Sequence, residues 1–131
     1  VSARRIKAIK TTDELLEVIK KAYGYKEDLT DFDKNKIGQK VFQALRIAVN
    51  NELENIEKAL PQAVRLLEKG GRIAVISFQS LEDRIVKNAF KKFKRQNLGE
   101  IITEKPIVPD EAEMKQNSRS KSGKLRVFEK N

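Results

Sequence analysis

Cysteine and histidine are both missing from this chain of 131 residues. Their absence excludes disulfides, thiolate nucleophiles, Ser-His triads and nearly every zinc site, so we predict no metal centre. A chain without cysteine also fits a cytoplasmic origin. Any chemistry must come from carboxylates, hydroxyls, amides, lysine or arginine.

Long apolar runs and phosphate-binding glycine loops are missing as well. No run approaches the roughly 18 apolar residues that span a bilayer, and we expect no membrane partner. Gly70-Gly71 follows a predicted helix, whereas a dinucleotide-binding glycine motif follows a strand and opens a helix. The chain begins at Val1 rather than Met, which we interpret as part of a longer protein. We therefore predict no cofactor-binding residue in this chain.

Positive charge is abundant and concentrated towards the C-terminus. The formal net charge is +9, and residues 84–131 hold 13 Lys/Arg and 6 Asp/Glu, a net of +7. A basic third of this kind indicates a polyanionic partner, with RNA as the leading candidate. A surface that is basic only for solubility is the alternative.

The N-terminal part has a helical pattern. Thr11 and Glu14 have the spacing of a capping box, which predicts that a helix begins there and runs to Ala22. The polar residues 24–35 show no period and are predicted to form a loop. Residues 37–60 repeat apolar side chains at helical spacing.

Three local signals divide the middle of the chain. Asn50-Asn51 marks a break or bend in the long helix. Pro61 suits the first turn of a new helix, where its missing N–H is tolerated. Gly70-Gly71 then predicts the end of that helix and a turn.

A strand, a turn and a helix follow. The apolar run at residues 73–76 predicts a strand buried on both faces, as in a parallel sheet covered by helices. A helix is expected over residues 81–95, and short strands over 100–104 and 125–129. This order is an α/β pattern with about three strands, so we predict the second half of a doubly wound sheet.

The turn after the first strand is the candidate ligand site. Ligands of open α/β sheets bind at the carboxyl ends of strands, where Ser77 and Gln79 lie. Ser80 is predicted to cap the next helix, and Glu82 and Asp83 in its first turn disfavour a phosphate there. Ordinary helix-start chemistry is the alternative interpretation.

Basic side chains form a ridge on the helix that follows. The members lie three and four residues apart: Arg84, Lys87, Lys91, Lys94 and Arg95. A second group lies in a Ser-rich segment: Arg119, Lys121, Lys124 and Arg126. Both groups fit contacts to a nucleic acid backbone, and a plain solvated surface is the alternative.

Several motifs in one order resemble a known family. They are residues 42–50 and 60–63, the tail residues 105–109 and 117–127, and the run from Gly70 through Ser77-Phe78-Gln79-Ser80-Leu81-Glu82-Asp83-Arg84 to Lys87. Together they resemble the RsmH/MraW family of bacterial ribosomal RNA small subunit methyltransferases. The family usually has His where this chain has Gln79.

The resemblance implies an S-adenosylmethionine-dependent enzyme that methylates N4 of a cytidine in 16S ribosomal RNA. It implies a Rossmann-like methyltransferase sheet, with residues 1–40 in a helical, substrate-binding insertion and 41–131 in the C-terminal portion of the catalytic domain. The family's glycine-rich cofactor loop has no counterpart in this chain, so we expect the chain alone to be inactive. Gln79 exchanges hydrogen bonds but carries no proton near neutral pH.

Residue roles follow from the same resemblance. The expected catalytic residues on the cytosine side are Ser77, Gln79, Ser80, Glu82 and Asp83. The expected RNA contacts are Arg84, Lys87, Lys91, Arg119, Lys124 and Arg126. Arg46 and Asn50 are expected to brace the insertion against the sheet.

Two other functions fit the sequence: a non-catalytic RNA-binding module, or a structural fragment without the cofactor half. The partner expected for the enzyme and for the RNA-binding module is 16S ribosomal RNA or the small ribosomal subunit. Exposed sheet surface also makes a homodimer an option.

Overall fold

Helices make up the first of two units into which the chain divides, Val1–Asn50 and Asn51–Asn131. The computed structural model describes residues 2–24 and 31–131. In the first unit α1 spans Ser2–Ile6, α2 spans Thr12–Ala22 and α3 spans Asp31–Asn50. Within the described residues, no helix is long and apolar enough to cross a bilayer.

The predicted capping box at the start of α2 is confirmed. The N–H of Glu14 donates to Thr11 Oγ1 at 3.2 Å, and the N–H of Thr11 donates to Glu14 Oε2 at 3.3 Å. Lys7 Nζ lies 2.8 Å from Glu14 Oε1, and its hydrogen bond is the main reason why the pKa of Glu14 falls to about 2. The start of this helix is therefore fixed by side chains adjacent in sequence.

The predicted loop at residues 24–35 is wrong at its C-terminal end, because α3 already begins at Asp31. Residues 25–30 of that prediction lie outside the described residues. Once a helix has nucleated, each further residue adds one hydrogen bond, so helix extends into polar sequence that shows no apolar period.

The second unit alternates helices and strands. Its elements are α4 (Glu52–Leu66), β1 (Arg72–Ser77), α5 (Ser80–Arg95), β2 (Gly99–Ile101), α6 (Glu111–Gln116), a 3₁₀ turn (Ser118–Ser122) and β3 (Lys124–Lys130). The break expected at Asn50-Asn51 is confirmed, since Asn51 adopts a left-handed conformation with φ of 51° between α3 and α4.

The helix start predicted at Pro61 is wrong, because Pro61 lies inside α4. Proline removes one backbone donor and displaces the neighbouring turn of the helix. Here Gln62 Nε2 donates to the carbonyl oxygen of Lys58 at 2.9 Å. The helix continues through the proline to Leu66.

The sheet has the order β1-β3-β2, and both pairings are antiparallel. The α/β class is confirmed, but the parallel sheet covered on both faces is wrong for the strands that the structure describes. Ile73 and Val75 are half-buried, whereas Ile76 is 62% exposed. A run of four apolar residues fits either arrangement, and pairing with the distant β3 decides between them.

The core of this unit lies between one face of the sheet and helices α4 and α5. Its buried members are Leu60, Val64, Val86, Phe90, Phe93 and Phe128. The ring centroids of Phe90 and Phe93 lie 5.4 and 5.8 Å from that of Phe128. Aromatic pairs of this kind contribute about 0.5–1.5 kcal/mol each beyond their buried area. The cluster holds α5 against β3.

Gly99 closes this core at the start of β2. A Cβ at this position would overlap the carbonyl oxygen of Glu129 and lie 2.7 Å from Cε1 of Phe128. We therefore predict that Gly99→Ala destabilises the protein by about 3 kcal/mol or more, the upper end of the range for an overpacked core. Urea denaturation measures the change in free energy of unfolding.

Gly70→Ala is the matched control. Gly70 has φ of 78° but open space around its Cα. Its replacement incurs only the strain of a left-handed conformation, about 1–2 kcal/mol. Equal losses for the two variants would contradict the steric role assigned to Gly99.

Candidate functional site

The turn between β1 and α5 is held by the side chain of Glu82. Its Oε2 accepts hydrogen bonds from the N–H of Phe78 at 3.1 Å and of Gln79 at 3.2 Å. Gln79, not the predicted Ser80, occupies the N-cap position. Gln79 takes this position because Glu82 lies three residues after it. At that spacing an acidic side chain accepts a hydrogen bond from the backbone N–H of the N-cap residue.

This arrangement bears on the ligand that the turn accepts. The Glu82 carboxylate accepts hydrogen bonds from the backbone N–H groups just before α5. In other proteins, free N–H groups at the start of a helix bind phosphate. A phosphate at the same place would meet a negative charge. The turn therefore favours a neutral or amine-bearing group.

Asp83 forms a buried ion pair with Arg126 of β3. Arg126 Nε donates to Oδ1 at 2.7 Å, and Nη2 donates to Oδ2 at 3.1 Å. Lys124 Nζ lies 4.0 Å from the same carboxylate. The Arg126 hydrogen bond lowers the pKa of Asp83 against the opposing effect of burial, with smaller contributions from the charges of Arg126, Lys124 and Lys87. Asp83 is thus an ionised, structural carboxylate.

The RNA contact predicted for Arg126 does not fit this geometry, because Arg126 is only 6% exposed. Along β3 the buried positions alternate, and Arg126 lies two residues before the buried Phe128. Alternate residues of a strand point to one face, so Arg126 faces the core. Counting every second residue back from the apolar Phe128 would have predicted from the sequence that Arg126 faces the core.

Gln79 has a buried side-chain oxygen without a partner. The side chain faces the backbone N–H of Glu82 in a capping-box arrangement, but Oε1 forms no full hydrogen bond there and has no other partner within the described part of the chain. An unsatisfied buried acceptor costs about 1–3 kcal/mol. The neighbouring Ser77 is 4% exposed, and Ser80 lies at the surface. The turn thus contains one side-chain amide oxygen whose hydrogen-bonding capacity is not fully used.

The basic ridge of α5 is present and exposed at Arg84, Lys87 and Lys91. Lys94 differs, because its Nζ lies 2.6 Å from Glu100 Oε2 and the hydrogen bond between them raises the pKa of Lys94. Beside the ridge is a cleft of about 240 Å³. Its lining comprises Lys87, Phe90, Lys91, Lys94, Ile101, Glu104 and Arg126.

A second cleft, of about 290 Å³, contains the other two predicted RNA-contact residues, Arg119 and Lys124. Its walls include four exposed apolar side chains that no sequence motif had indicated as site residues: Ile76, Phe78, Ile107 and Val108. Phe78 follows directly on a strand, and aromatic residues at strand ends near a ligand crevice were the available signal.

Arg46 and Asn50 lie in the exposed C-terminal part of α3. Their bracing role stays a prediction. The domain boundary predicted between residues 40 and 41 falls inside the same helix. That boundary also stays a prediction.

The residues of this chain do not fit a cofactor loop. Two connections lead from a strand to a helix in the described residues: residues 102–110 before α6, which contain no glycine, and the short turn from β1 to α5. It contains no glycine, and Glu82 already accepts from its backbone. A nucleotide-type cofactor needs backbone approach at glycines there. We therefore derive no chemical step through a cofactor from these residues.

Fold and site together define part of an α/β domain that presents a polar turn at the end of a strand. All residues, 1–131, match the family model described as the MraW methylase family. The chain belongs to this family.

Curated relatives agree with this assignment. The chain is 45% identical over 130 residues to the ribosomal RNA small subunit methyltransferase H of Coprothermobacter proteolyticus, covering 99% of the chain and 42% of that protein. It is 48% identical over 129 residues to the protein of the same name from Sulfurihydrogenibium sp., covering 97% and 42%. The chain spans less than half the length of these relatives.

We predict that Arg126→Ala destabilises the protein by about 3–5 kcal/mol at pH 7, because it leaves the buried Asp83 carboxylate without its partner. The pKa of Asp83 is lowered in the folded state, so the pair stabilises above the unfolded pKa near 4 and loses its effect as pH falls through the folded pKa. The penalty of the substitution should therefore shrink in acid. Urea denaturation at neutral and acidic pH measures it.

Arg72→Ala is the control. Arg72 Nε lies 2.6 Å from Glu129 Oε2, but the Arg72 side chain is 65% exposed. Exposed pairs contribute about 0–1 kcal/mol. Similar losses for the two arginines, or a penalty for Arg126→Ala that does not change with pH, would contradict the assignment.

Proposed function

We propose that this chain is the substrate-side portion of an S-adenosylmethionine-dependent enzyme that methylates N4 of a cytidine in 16S ribosomal RNA. The family assignment and the names of the relatives support the reaction class. S-adenosylmethionine would supply the methyl group, bound by residues that this chain does not contain. The chain alone is then inactive, and its expected location is the cytoplasm with the small ribosomal subunit.

The observation that carries the proposal is the fixed turn with its unpartnered acceptor. Glu82 holds the backbone of the turn, and the Asp83–Arg126 pair ties the next helix to β3. These two acids are positioning residues. Gln79 and Ser80 are left to meet the substrate, since the third expected residue, Ser77, is buried.

The chemistry of a cytosine amine suits this turn. Its lone pair is delocalised into the ring, and an acceptor held against one N–H favours its localisation on nitrogen. Gln79 Oε1 is such an acceptor, and a rotation of its buried side chain would bring it to the amine. Neutral Gln79 orients the amine and removes no proton, so the proton that the amine loses on methylation passes to solvent water.

A chimera tests the function. In it, this chain replaces the matched 130 residues of the Coprothermobacter proteolyticus relative. We expect the chimera to convert a cytidine of small-subunit RNA to N4-methylcytidine, detected by mass spectrometry of digested nucleosides, and the isolated chain to convert none. A chimera that binds S-adenosylmethionine but leaves the RNA unmethylated would refute the proposal, as would methylation by the isolated chain.

Gln79 has its own prediction in the same chimera. Gln79→Ala removes the acceptor and should lower kcat by at least about tenfold, with little change in KM, because orientation contributes mainly in the transition state. Ser118→Ala, outside the turn, is the control. An unchanged kcat in Gln79→Ala would remove Gln79 from the site.

The exposed ridge of α5 is the proposed contact to the RNA backbone. Lys87→Ala combined with Lys91→Ala should reduce the salt dependence of oligonucleotide binding. The expected change in the slope of log K against log salt is about 1.4, or about 0.7 for each lost phosphate contact to a single strand. Fluorescence anisotropy with a labelled RNA oligonucleotide measures the slope.

Lys58→Ala combined with Lys69→Ala is the matched control. It removes the same formal charge from exposed positions of the same unit. Equal slopes in the two double variants would show that the ridge contributes only net charge.

A further inference from the structure

The apolar cleft beside the turn is a built feature of the second unit. Ile76, Phe78, Ile107 and Val108 are 62, 54, 55 and 58% exposed and line one concave surface. Contiguous exposed apolar side chains of this kind mark binding sites. The surface lies at the carboxyl end of β1, next to the turn that leads into α5.

Hydrogen bonds hold the walls of the cleft in place. The N–H of Ile107 donates to the carbonyl oxygen of Leu125 at 2.9 Å, and the N–H of Leu125 donates back at 2.8 Å. Elsewhere in the lining, the buried Ser120 Oγ donates to the carbonyl oxygen of Asn117 at 2.8 Å. The cleft is therefore preformed, as ligand sites usually are.

The rim of the cleft carries charge of mainly one sign. Arg119 and Lys124 lie on it, with Glu113 as the one lining acid. Arg119 makes no salt bridge within the part of the chain that the structure describes. Lys124 is 4.0 Å from Asp83 and only partly engaged. An exposed aromatic ring beside an arginine without a salt bridge and a partly engaged lysine matches a nucleotide, whose base stacks and whose phosphate is anionic.

We propose that this cleft binds one nucleotide of unpaired RNA, with its base stacked on Phe78 and its phosphate held by Arg119 and Lys124. Among the described residues that line the cleft, Gln79 is absent. The nucleotide in the cleft is therefore a neighbour of the one whose amine meets Gln79. The inference rests on the proposed RNA substrate and adds a flanking-nucleotide subsite to it.

The absence of tryptophan from the chain gives a direct readout. Phe78→Trp keeps a stacking ring at an exposed position and introduces a single tryptophan, which can be excited apart from the two tyrosines of the chain. Cytidine 5′-monophosphate should quench its emission saturably, and ribose 5-phosphate, which has no base, should not. Phe78→Leu should weaken binding of a labelled oligocytidylate by about tenfold, the effect of losing one stacked base.

A second substitution, added to the Phe78→Trp variant, tests the phosphate contact. Arg119→Ala should weaken quenching by cytidine 5′-monophosphate several-fold, and Arg65→Ala, an exposed arginine of α4, should leave it unchanged. Quenching that is absent, equal for ribose 5-phosphate, or insensitive to Arg119→Ala would overturn the proposal. A second result would also overturn it: a blue shift of the tryptophan emission that grows with protein concentration, together with a dimer in sedimentation. A second copy of the chain would then cover the cleft.

Failure of this inference is distinguishable from failure of the proposed function. If RNA binding responds to the Lys87 and Lys91 substitutions while the tryptophan signal ignores nucleotide, the cleft assignment alone fails. If the chimera does not methylate RNA but cytidine 5′-monophosphate still quenches, the subsite stands and the reaction fails.

Discussion

The ion pair between Asp83 and Arg126 is the constraint on which the geometry of the second unit depends. It joins the first turn of α5 to β3, and β3 is the strand that pairs with both of the others. A strand that slips by one residue turns every side chain to the opposite face. Such a slip would remove Arg126 from Asp83 and leave a buried carboxylate unpaired. The pair therefore specifies the register of β3 as well as the position of the turn.

Local patterns in the sequence predicted local structure well. The capping box at Thr11, the break at Asn51 and the order of helices and strands in the second unit all depend on residues close together in the chain. The antiparallel pairing of β1 with β3 depends on residues more than forty positions apart, such as Ile76 and Leu125. No local period contains that information, which is why the parallel sheet was a reasonable but wrong expectation.

The two acids of the candidate site have partners inside the protein that local sequence could reveal only in part. Glu82 accepts from backbone N–H groups three and four residues away, at a spacing that can be read from the chain, whereas Asp83 pairs with an arginine forty-three residues later. A carboxylate held ionised by an arginine is a poor proton acceptor, since its pKa is lowered. In the proposed reaction the substrate-facing roles therefore fall to neutral groups, which suit a weakly basic aromatic amine better than a phosphate.

One face of the sheet packs into the core, and the other face borders the cleft proposed to bind RNA. Phe128 and Arg126 lie on the face covered by α4 and α5, and the alternate residue Leu125 pairs with Ile76 on the other face, where the apolar cleft opens. Because side chains alternate along a strand, β3 contributes Arg126 and Phe128 to the buried face and Leu125 to the wall of the cleft. A substitution at Leu125 would thus alter the cleft with the core intact, whereas one at Arg126 would disturb the core and, through Asp83, the turn.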